Sequence, residues 1–451
     1  MPKILIFIDH DIIIRNFYKL KIFKELENKF QIKYVFPKHK RVTINPENLN
    51  LKNFEILNCD LERVYHRKIF SYVKRLHTSR KFPKGEKDYV FEFLKAIFGR
   101  YLIYIQLIKT FPIIHEIWSF FYQKKIGKNI ELENFLIKEN PKLIIHPTVL
   151  NGIYVDDLIE IGKTLQIPTL YLMNSWDNTR VKNFSLKKPD HLFVWGEESK
   201  SEAKKFLSMS DQSLTISGPA FYHGQNKVDD KMISNFREKF QIDSETFFLC
   251  YGGSSKGLNE IKHLEKIEQL INNSKEKIKV LYRPHPWKDF NKNEELFDQK
   301  NFKHIYLDPF SEANYLSIFK KKNMQIEQVS PENTSLILKS VDAVISPLST
   351  ILIDAAALGT PSASYNYDDG EKNAFVKYYK KLVSLNDFNK RIESEQCNHF
   401  DDIWKTILNL REKSKDEKLK KRIIDKAKYI MDIDKNYLSL LRKKCEELTS
   451  S

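Results

Sequence analysis

Short apolar runs alternate with segments of helical spacing along much of the chain. The runs in the first half that predict strands are Ile4 to Ile8, Leu143 to His146, Thr169 to Met173 and His191 to Trp195. The segments that predict helices are Ile12 to Leu26, Val155 to Leu165 and Ser199 to Leu207. Because parallel strands are joined by helices that cross over the sheet, this alternation indicates βαβ units and a parallel sheet.

The second half of the chain repeats the pattern. Its predicted strands are Thr246 to Tyr251, Lys279 to Tyr282, His304 to Leu307, Ala343 to Ser346 and Pro361 to Tyr365. The pair Gly218-Pro219, followed by a polar stretch, indicates passage from one domain to another. A chain of 451 residues also exceeds what one hydrophobic core usually organises. We therefore expect an α/β protein with two Rossmann-like, doubly wound domains.

The expected domain boundaries follow from these patterns. Residues 1–220 form the N-terminal domain and 221–385 the second domain, and helices over 386–451 pack back across both. Leu and Ile recur at three-to-four spacing in the Lys- and Glu-rich tail from Phe400, which is typical of a surface helix. The exception to the strand pattern is residues 63–128, which predict a basic helical insert in the N-terminal domain.

This insert carries most of the net charge of the chain. It contains 15 basic and 4 acidic residues, which gives +11 of the total +16. Such an excess favours anionic partners: phosphates, nucleic acid or acidic lipid. One interpretation is a pair of amphipathic helices that dock on the anionic inner face of a membrane, with Phe70, Tyr72, Val73 and Leu76 on one apolar face. The other is a structural helical subdomain whose faces pack on one another and whose charge is merely solvated.

The spacing of the cysteines and the hydropathy of the chain exclude several classes of protein. Cys59, Cys250, Cys397 and Cys445 show neither CxxC spacing nor a nearby His cluster, so neither a disulfide framework nor a zinc site is expected. The longest apolar-rich stretch is Tyr101 to Tyr122, which polar residues and Pro112 interrupt. It therefore falls short of the roughly 18 uninterrupted apolar residues that a membrane-spanning helix needs. The expectation is a cytoplasmic protein, with peripheral attachment to the inner face of the membrane through the insert.

The sequence Arg283-Pro284-His285-Pro286, here called the Arg-Pro-His-Pro loop, follows a predicted strand of the second half. Ligands of open α/β sheets bind at the carboxyl ends of strands. The two prolines fix backbone angles, and Arg and His both donate hydrogen bonds to phosphate oxygens. The loop therefore predicts a phosphate site, the alternative being a rigid surface loop with a solvated Arg.

Two further loops of the second half have the same predicted position. Ser349 and Thr350 open an alanine-rich helix, where hydroxyls and free amides make an anion site. The alternative is an ordinary N-cap by Ser349, which by itself is more common than phosphate binding. The glycine loop, which we define as Gly252 to Ser255, follows a strand and lets backbone approach a ligand closely. It lacks the spacing of a P-loop or a dinucleotide fingerprint.

Together these motifs resemble the C-terminal domain of bacterial GT-B enzymes of surface-polymer synthesis. The pattern is similar to CDP-glycerol glycerophosphotransferases and to capsule-polysaccharide and sialyl transferases that share an HP loop and a Ser-Ser or Ser-Thr loop. Segments of the first half, around Trp176, Trp195 and Gly218, are similar to the same group. The resemblance covers about residues 1–60 and 140–375. It implies the GT-B fold, with two Rossmann-like domains facing a central cleft.

The resemblance also implies residue roles in the second domain. His285, Ser349 and Thr350 would contact donor phosphates, and Asp354 would meet the ribose. We add Arg283, Gly252, Gly253 and Ser254 to this expected donor site. The chain has Pro347-Leu348 where glycerophosphotransferases carry Asp-Tyr, so the transferred group stays open. By analogy of motif, a cytidine nucleotide is the first expectation and UDP the second.

The acceptor side is expected on the N-terminal domain. The first predicted strand leads into Asp9, His10 and Asp11, and the following helix carries Arg15. A His or Asp there can take a proton from an acceptor hydroxyl, and we predict His10 and Asp11 as the catalytic residues. The alternative is that Asp11 only caps the helix.

A second strand end supplies further candidates for the acceptor cleft. Trp176, Asp177 and Asn178 follow the strand Thr169 to Met173, although a Trp buried between domains is an equal alternative. Asp156-Asp157 and Asp368-Asp369 are adjacent pairs whose side chains diverge, so no metal site and no obligatory cofactor are expected.

The sequence thus predicts transfer of a sugar or polyol phosphate from a nucleotide-activated donor to a glycan or lipid-linked acceptor. One alternative of the same fold is a UDP-sugar 2-epimerase. Another class is a basic nucleic-acid-binding protein, because the insert interleaves cations with aromatic residues. No recognised nucleic-acid motif accompanies them, so nucleic acid is not an expected partner.

Overall fold

The structure is a computed structural model of the chain. It describes residues 1–39, 42, 44–78, 84–148, 152–176, 178–179, 187–222, 228–255, 258–288, 290, 295–320, 329–365 and 387–450. The chain divides into two compact units. Unit 1 comprises Met1–His223 and Ile430–Ser451, and unit 2 comprises Gly224–Tyr429.

Unit 1 contains a parallel sheet of seven strands. The strands are β1 Lys3–Phe7, β2 Gln31–Pro37, β3 Phe54–Leu57, β4 Leu143–Thr148, β5 Thr169–Met173, β6 His191–Val194 and β7 Leu214–Ile216. Their order is β3-β2-β1-β4-β5-β6-β7, with Leu5 of β1 opposite Lys33 of β2 and Ile144 of β4. The connections therefore change direction between β1 and β4, which makes this the switch point of the sheet.

Helices surround this sheet. They are α1 Asp11–Ile13, α2 Leu61–Thr78, α3 Lys84–Phe98, α4 Leu102–Thr110, α5 Pro112–Ile126, α6 Ile130–Glu139, α7 Val155–Leu165 and α8 Glu197–Leu207. A π-helical turn, Ile14–Tyr18, continues α1, and 3-10 turns occupy Lys24–Asn28, Pro46–Leu49, Gly99–Tyr101, Asp211–Ser213 and Ala220–Tyr222. The cores on the two sheet faces are built from side chains such as Phe17 and Leu158.

Unit 2 contains a parallel sheet of six strands in the order β10-β9-β8-β11-β12-β13. These strands are β8 Phe247–Gly252, β9 Ile278–Arg283, β10 Ile305–Leu307, β11 Ala343–Ser346, β12 Ser362–Tyr365 and β13 Glu395–Cys397. The order reverses between β8 and β11. The switch point of this sheet is therefore flanked by the loops that follow those two strands.

The helices of the second half begin with α9 and end in unit 1. They are α9 Asp230–Lys239, α10 Glu260–Asn272, α11 Glu312–Phe319, α12 Pro331–Ser340, α13 Thr350–Ala357, α14 Phe388–Arg391, α15 Ile403–Lys413, α16 Glu417–Ile430 and α17 Tyr437–Ser450. Short 3-10 turns lie at Gln299–Asn301 and Phe400–Asp402. Ile407 of α15 packs in the core of unit 2, whereas Leu441 of α17 packs in that of unit 1.

The predicted single helix over 12–26 is wrong. The chain makes α1 and the π-helical turn, after which Lys21 adopts a left-handed backbone with φ of 56°. A left-handed residue cannot continue a right-handed helix. The break lets Ile22 and Phe23 turn into the core, where both are about 1% exposed.

The basic helical insert is confirmed, and it consists of α2 to α5. Its own small core contains Tyr72, Val73 and Leu76, and Phe70 stacks on Trp118 with ring centroids 5.5 Å apart. Phe70, Tyr72, Val73 and Leu76 are at most 4% exposed. The structural interpretation therefore holds for this face of α2, and the sequence-based assignment of it to a membrane is wrong.

Two arginines of α2 fasten the insert to the sheet-covering helix α7. Arg63 donates through Nη1 to Asp157, its Nη2 lies 2.9 Å from Asp157 Oδ1, and Arg67 Nη2 lies 2.5 Å from the same oxygen. Asp157 is buried, and the bonds from both arginines hold the pKa of its carboxyl below the usual range despite burial. Asn129 Nδ2 adds a hydrogen bond of 3.1 Å. Bidentate arginine pairs of this kind fix orientation as well as add energy.

Candidate functional site

Three loops of unit 2 leave the carboxyl edge of its sheet side by side. The glycine loop follows β8, the Arg-Pro-His-Pro loop follows β9, and Ser346 to Thr350, here called the serine loop, follows β11. Since β9, β8 and β11 are neighbours, the three predicted donor-binding motifs lie at one edge. Two of them flank the switch point, where open α/β sheets bind ligands.

The two glycines are required by packing against buried polar groups. A Cβ atom on Gly252 would lie 2.9 Å from Ser346 Oγ, and one on Gly253 would lie 2.6 Å from Glu260 Oε2. The Gly253 amide donates to the Arg283 carbonyl over 2.9 Å, and the Ser254 amide donates to Glu260. The glycine loop is thus joined to the next strand and to α10 by its own backbone.

Glu260 and Lys288 form a buried ion pair beneath these loops, which the sequence analysis missed. Lys288 Nζ lies 3.3 Å from Glu260 Oε1, and both side chains have 0% exposure. Glu260 also accepts a 2.6 Å bond from the Tyr282 hydroxyl, while Lys288 Nζ donates to the Leu258 carbonyl over 3.2 Å. A buried charge pair is tolerated only where further hydrogen bonds satisfy it, as here.

His285 is held in a defined orientation within its loop. Its Nδ1 accepts a hydrogen bond of 3.1 Å from the Trp287 amide. Because Nδ1 is the acceptor, a neutral ring carries its proton on Nε2. Burial lowers the pKa of His285, nearby Glu260 opposes the shift, and Lys288 and Arg283 add to it. The neutral ring therefore presents an N–H donor at Nε2.

Arg283 is oriented by two neighbouring elements. Its Nη2 donates to Thr334 Oγ1 on α12 over 2.9 Å, and its Nε lies 4.0 Å from Asp308 Oδ2. The side chain is 12% exposed. Within the described part of the chain, Nη1 of this guanidinium is buried without an acceptor.

The serine loop opens α13 without an ordinary side-chain cap. Ser349 takes the N-cap position with extended backbone, but its hydroxyl makes no capping bond and instead lies 3.0 Å from Ser346 Oγ. The simple N-cap interpretation of Ser349 is therefore wrong. Thr350 is the first helical residue, and Asp354 lies one turn further along with a half-buried side chain. The positive end of α13 thus keeps backbone amides that an anion can bind.

The predicted acceptor residues Asp9, His10 and Asp11 follow β1 at the switch point of unit 1. Asp9 is 3% exposed, its Oδ2 accepts a 2.7 Å bond from the Ile153 amide, and it lies 3.5 Å from Nε2 of His146. His146, fully buried on β4, was missed from sequence. Asp9 therefore joins β1 to the entry of α7.

His10 and Asp11, the two predicted catalytic residues, make different hydrogen bonds at the start of α1. His10, not Asp11, is the N-cap of α1, because its Nδ1 accepts a 3.1 Å bond from the Ile12 amide. A neutral His10 then carries its proton on Nε2 and cannot accept another there. Asp11 Oδ1 accepts a 3.4 Å bond from the Ile44 amide and is half-buried. Asp11 is accordingly the better base of the two.

A cavity of about 410 Å³ lies at the ends of β2 and β3. The described residues that line it are Phe36, Pro37, Lys38, His39, Val42, Ile44, Asn45, Pro46 and Ile56. Ile44 also donates to Asp11, so the carboxylate and the cavity share one loop. The position of this cavity, at the carboxyl edge of a parallel sheet, is where such folds hold ligands.

The remaining predicted residues of unit 1 have local partners. Arg15 Nη1 donates to Asn16 Oδ1 over 3.2 Å, and Asn16 Nδ2 donates to Asn174 over 2.7 Å. Asn178 is fully buried, and its Oδ1 accepts a 2.8 Å bond from the Ser175 amide, which stabilises a turn. Trp176 is half-buried, and Asp177 lies outside the described residues.

In the ranges described above, no three His, Cys, Asp or Glu side chains form a group able to hold a metal ion. That no metal is required stays a prediction. None of the helices there has the length and apolar character needed to cross a membrane.

Comparison with solved structures places the fold. CalG4, the calicheamicin glycosyltransferase, matches with a TM-score of 0.51 at 11% identity, over 100% of this chain and 98% of that one. MnaA of S. aureus in complex with UDP matches with a TM-score of 0.50 at 10% identity, over 99% and 95%. A putative UDP-N-acetylglucosamine 2-epimerase from Listeria monocytogenes gives 0.50 at 9% identity, over 99% and 97%.

The chain has the GT-B fold. Two parallel-sheet Rossmann-like units with a basic helical insert agree with the fold class predicted from sequence. No protein-family model matches the sequence, and no curated protein matches it. At identities near 10%, the likeness to these structures concerns the fold alone.

Proposed function

We propose that this protein is a glycosyltransferase or polyol-phosphate transferase that uses a nucleotide-activated donor. The observation that carries the proposal is the meeting of three loops at the carboxyl edge of unit 2. They bring a guanidinium, a histidine N–H and the uncapped start of α13 to one edge. These are the groups that bind phosphate oxygens.

In this proposal the donor phosphates lie between His285 and the serine loop. His285 Nε2, the Ser349 and Thr350 hydroxyls and the first amides of α13 donate to phosphate oxygens. Arg283 supplies charge through Nη1, and Asp354 meets the ribose. Gly252, Gly253 and Ser254 shape the floor of the site by packing on Ser346 and Glu260.

The proposed reaction is an in-line displacement. An acceptor hydroxyl oxygen forms a bond to the activated carbon or phosphorus, and the bond from that atom to the leaving phosphate oxygen breaks. Asp11 accepts the hydroxyl proton, and His10 Nε2 donates a hydrogen bond that positions the acceptor. Arg283 and His285 stabilise the charge that develops on the leaving nucleotide, usually the largest contribution in such a step. Arg15, Trp176 and Asp177 complete the proposed acceptor side, and the buried Asn178 supports it only by stabilising the turn that follows β5.

A nucleotide screen tests the donor site. We expect one of CMP, CDP, UDP or GDP to raise the melting temperature of the full chain, because binding to the folded state stabilises by mass action. Arg283→Lys keeps the charge but loses the planar donors, so the Kd for that nucleotide should rise at least tenfold. Arg237→Lys, on α9, is the matched control. Equal affinity of wild type and Arg283→Lys would remove Arg283 from the site.

The alternative activity is that of a nucleotide-sugar 2-epimerase, as the name of the similar structure from Listeria monocytogenes suggests. An epimerase converts its nucleotide sugar without an acceptor, whereas a transferase requires one. Product analysis of UDP-N-acetylglucosamine incubated with the protein alone distinguishes them. A 2-epimer formed in the absence of acceptor would replace the transferase proposal.

We further propose that the insert attaches the protein to the anionic inner face of a membrane, where a lipid-linked acceptor is found. The supporting surface lies on α4, α5 and the turn before them, here called the apolar surface. Its exposed side chains are Tyr101, Ile103, Tyr104, Phe111, Ile113, Ile114, Ile117, Phe120 and Phe121. Arg100, Lys124 and Lys125 flank it and are exposed too. Aromatic and aliphatic faces bordered by cations are typical of interfacial helices.

Liposome flotation tests this attachment. Ile113→Glu/Ile117→Glu should abolish binding to phosphatidylglycerol vesicles, because it places two carboxylates on side chains that are 72% and 54% exposed. The control Ile130→Glu/Ile137→Glu makes the same change on α6. Added salt should weaken wild-type binding, since each basic residue near the surface contributes about 1 kcal/mol. Binding to single-stranded nucleic acid in place of vesicles would favour the alternative that the protein is a basic nucleic-acid-binding protein.

A further inference from the structure

A second cavity of unit 1 lies within the insert, away from both sheet edges. Its volume is about 360 Å³, and we call it the insert pocket. It is formed by α2, the end of α5 and α7. The described residues that line it are Arg67, Phe70, Lys74, Phe120, Gln123, Lys124, Ile126, Gly127, Lys128, Glu160 and Lys187. Five are cationic and one is a carboxylate, so the pocket is strongly positive.

The one carboxylate among these residues, that of Glu160, already forms salt bridges with two cations. Glu160 lies 3.2 Å from Arg67 Nη2 and 3.0 Å from Lys187 Nζ, and these two contacts lower its pKa, although burial opposes them. Among the residues that the structure describes, no carboxylate lies within ion-pair distance of Lys74, Lys124 or Lys128. The three lysines therefore form no salt bridge with a described residue, although the Lys124 ammonium lies 4.5 Å from the centroid of the Phe120 ring.

The charged form of Lys74 is disfavoured by its position in the pocket. Its side chain is half-buried on α2, and burial lowers its pKa, while Asp156 partly offsets the effect. Burial of an ammonium group without a partner is unfavourable. An anion in the pocket would restore the interaction that Lys74 lacks.

The rest of the pocket is apolar and continuous with the apolar surface. Phe70 and Ile126 are buried, whereas Phe120 lines the pocket and is also 57% exposed. Phe120 belongs to the apolar surface, so an occupant can extend from the lysines along Phe120 to that surface. This combination suits a molecule with an anionic head and an apolar body.

We infer that the insert pocket binds the phosphate or diphosphate head of a lipid. A volume near 360 Å³ accommodates a diphosphate with part of its attached chain, since small-molecule pockets begin at about 300 Å³. The three lysines without a salt bridge, Lys74, Lys124 and Lys128, meet the phosphate oxygens, and Phe120 meets the first part of the chain. Identification of this lipid as the acceptor rests on the proposed function, whereas the binding itself does not.

Isothermal titration of the full chain with farnesyl diphosphate tests the site, with inorganic pyrophosphate as the comparison. Wild type should bind farnesyl diphosphate, and Lys74→Gln/Lys124→Gln/Lys128→Gln should weaken binding at least tenfold. The control Lys138→Gln/Lys142→Gln/Lys163→Gln changes three exposed lysines of the same unit and should alter Kd less than twofold. Equal losses in the two triple variants would overturn the inference.

Two further variants separate the sources of the phosphate and the two proposals. Phe120→Ser should weaken binding of farnesyl diphosphate but not of pyrophosphate; equal wild-type affinity for both would show a free-phosphate site and refute a lipid site. His285→Asn should leave farnesyl diphosphate binding unchanged, because it alters only the donor site. Lysine-dependent binding without any transfer activity would support the pocket while refuting the proposed function. Circular dichroism and melting temperature verify that each variant is folded.

Discussion

Replacement of His285 by Asn is expected to lower kcat for transfer by about 100- to 1,000-fold, the usual effect of removing one preorganised donor to developing charge. The amide oxygen of Asn can still accept the Trp287 amide, as Nδ1 does over 3.1 Å, so the loop keeps its shape. What is lost is the Nε2 donor. The measurement is the initial rate of nucleotide release from the donor identified in the screen, with acceptor present.

Two readouts make this result specific. The melting temperature of His285→Asn should match wild type within about a degree. His304→Asn, on the chain just before β10 and at the opposite edge of the same sheet, serves as the control and should retain full activity. Wild-type turnover by His285→Asn would remove the Arg-Pro-His-Pro loop from the chemistry.

The largest effect on stability is expected at Lys288. Lys288→Met removes the partner of Glu260 and leaves a carboxylate that is 0% exposed with one charge uncompensated. Breaking a buried pair in this way costs about 3–5 kcal/mol of unfolding free energy. Urea denaturation followed by circular dichroism measures it, as a shift of the transition that belongs to unit 2.

A double variant tests the cause of that loss. Glu260→Gln/Lys288→Met removes both charges. The one Gln oxygen can accept from the Ser254 amide and the Gln NH2 can donate to the Tyr282 hydroxyl oxygen, so this variant should recover part of the lost stability. Lys262→Met, an exposed lysine on α10, should change stability by less than about 0.5 kcal/mol. If Lys288→Met behaved like Lys262→Met, the ion pair would not stabilise the loops.

Most of the strands that the sequence predicted have apolar runs that are buried on both faces, such as β4, β5 and β11. β5 was placed at its true bounds because all five of its residues are buried. β2 was missed, since Lys33 stands in the middle of it; there the ammonium lies 2.9 Å from carboxylates of both Glu55 and Glu139. Neither partner is near in sequence, so a local pattern cannot reveal that the lysine is neutralised within a strand.

The candidate site was predictable where a motif and a strand end coincide. The Arg-Pro-His-Pro loop and the serine loop follow buried apolar strands, so their shared edge could be inferred from the general rule for parallel sheets. Glu260 and His146 were not predictable. Glu260 matters because it contacts Lys288 and Tyr282, and His146 because it contacts Asp9. These contacts join residues that come together only in the folded protein.

The insert illustrates the limit of helical periodicity. The spacing of Phe70, Val73 and Leu76 correctly gave an apolar face on α2, but periodicity does not say what covers such a face. In the structure Trp118 and Tyr122 of α5 stack on Phe70. The exposed apolar side chains are instead Ile113 and its neighbours, in a stretch where apolar residues surround the helix and give little periodic signal.

Unit 1 contains both ends of the chain, so its core cannot be completed until synthesis of the chain is nearly finished. Its core includes Tyr437, Leu441 and Cys445 of α17, and the Tyr437 ring lies 5.9 Å from that of Phe193 and 6.5 Å from that of Phe17. The ribosome makes all of unit 2 after Phe193 and before Tyr437. At usual rates of translation, this core waits roughly 10 to 40 seconds for its last helix. The nascent N-terminal half is therefore the stretch that chaperones have most reason to bind.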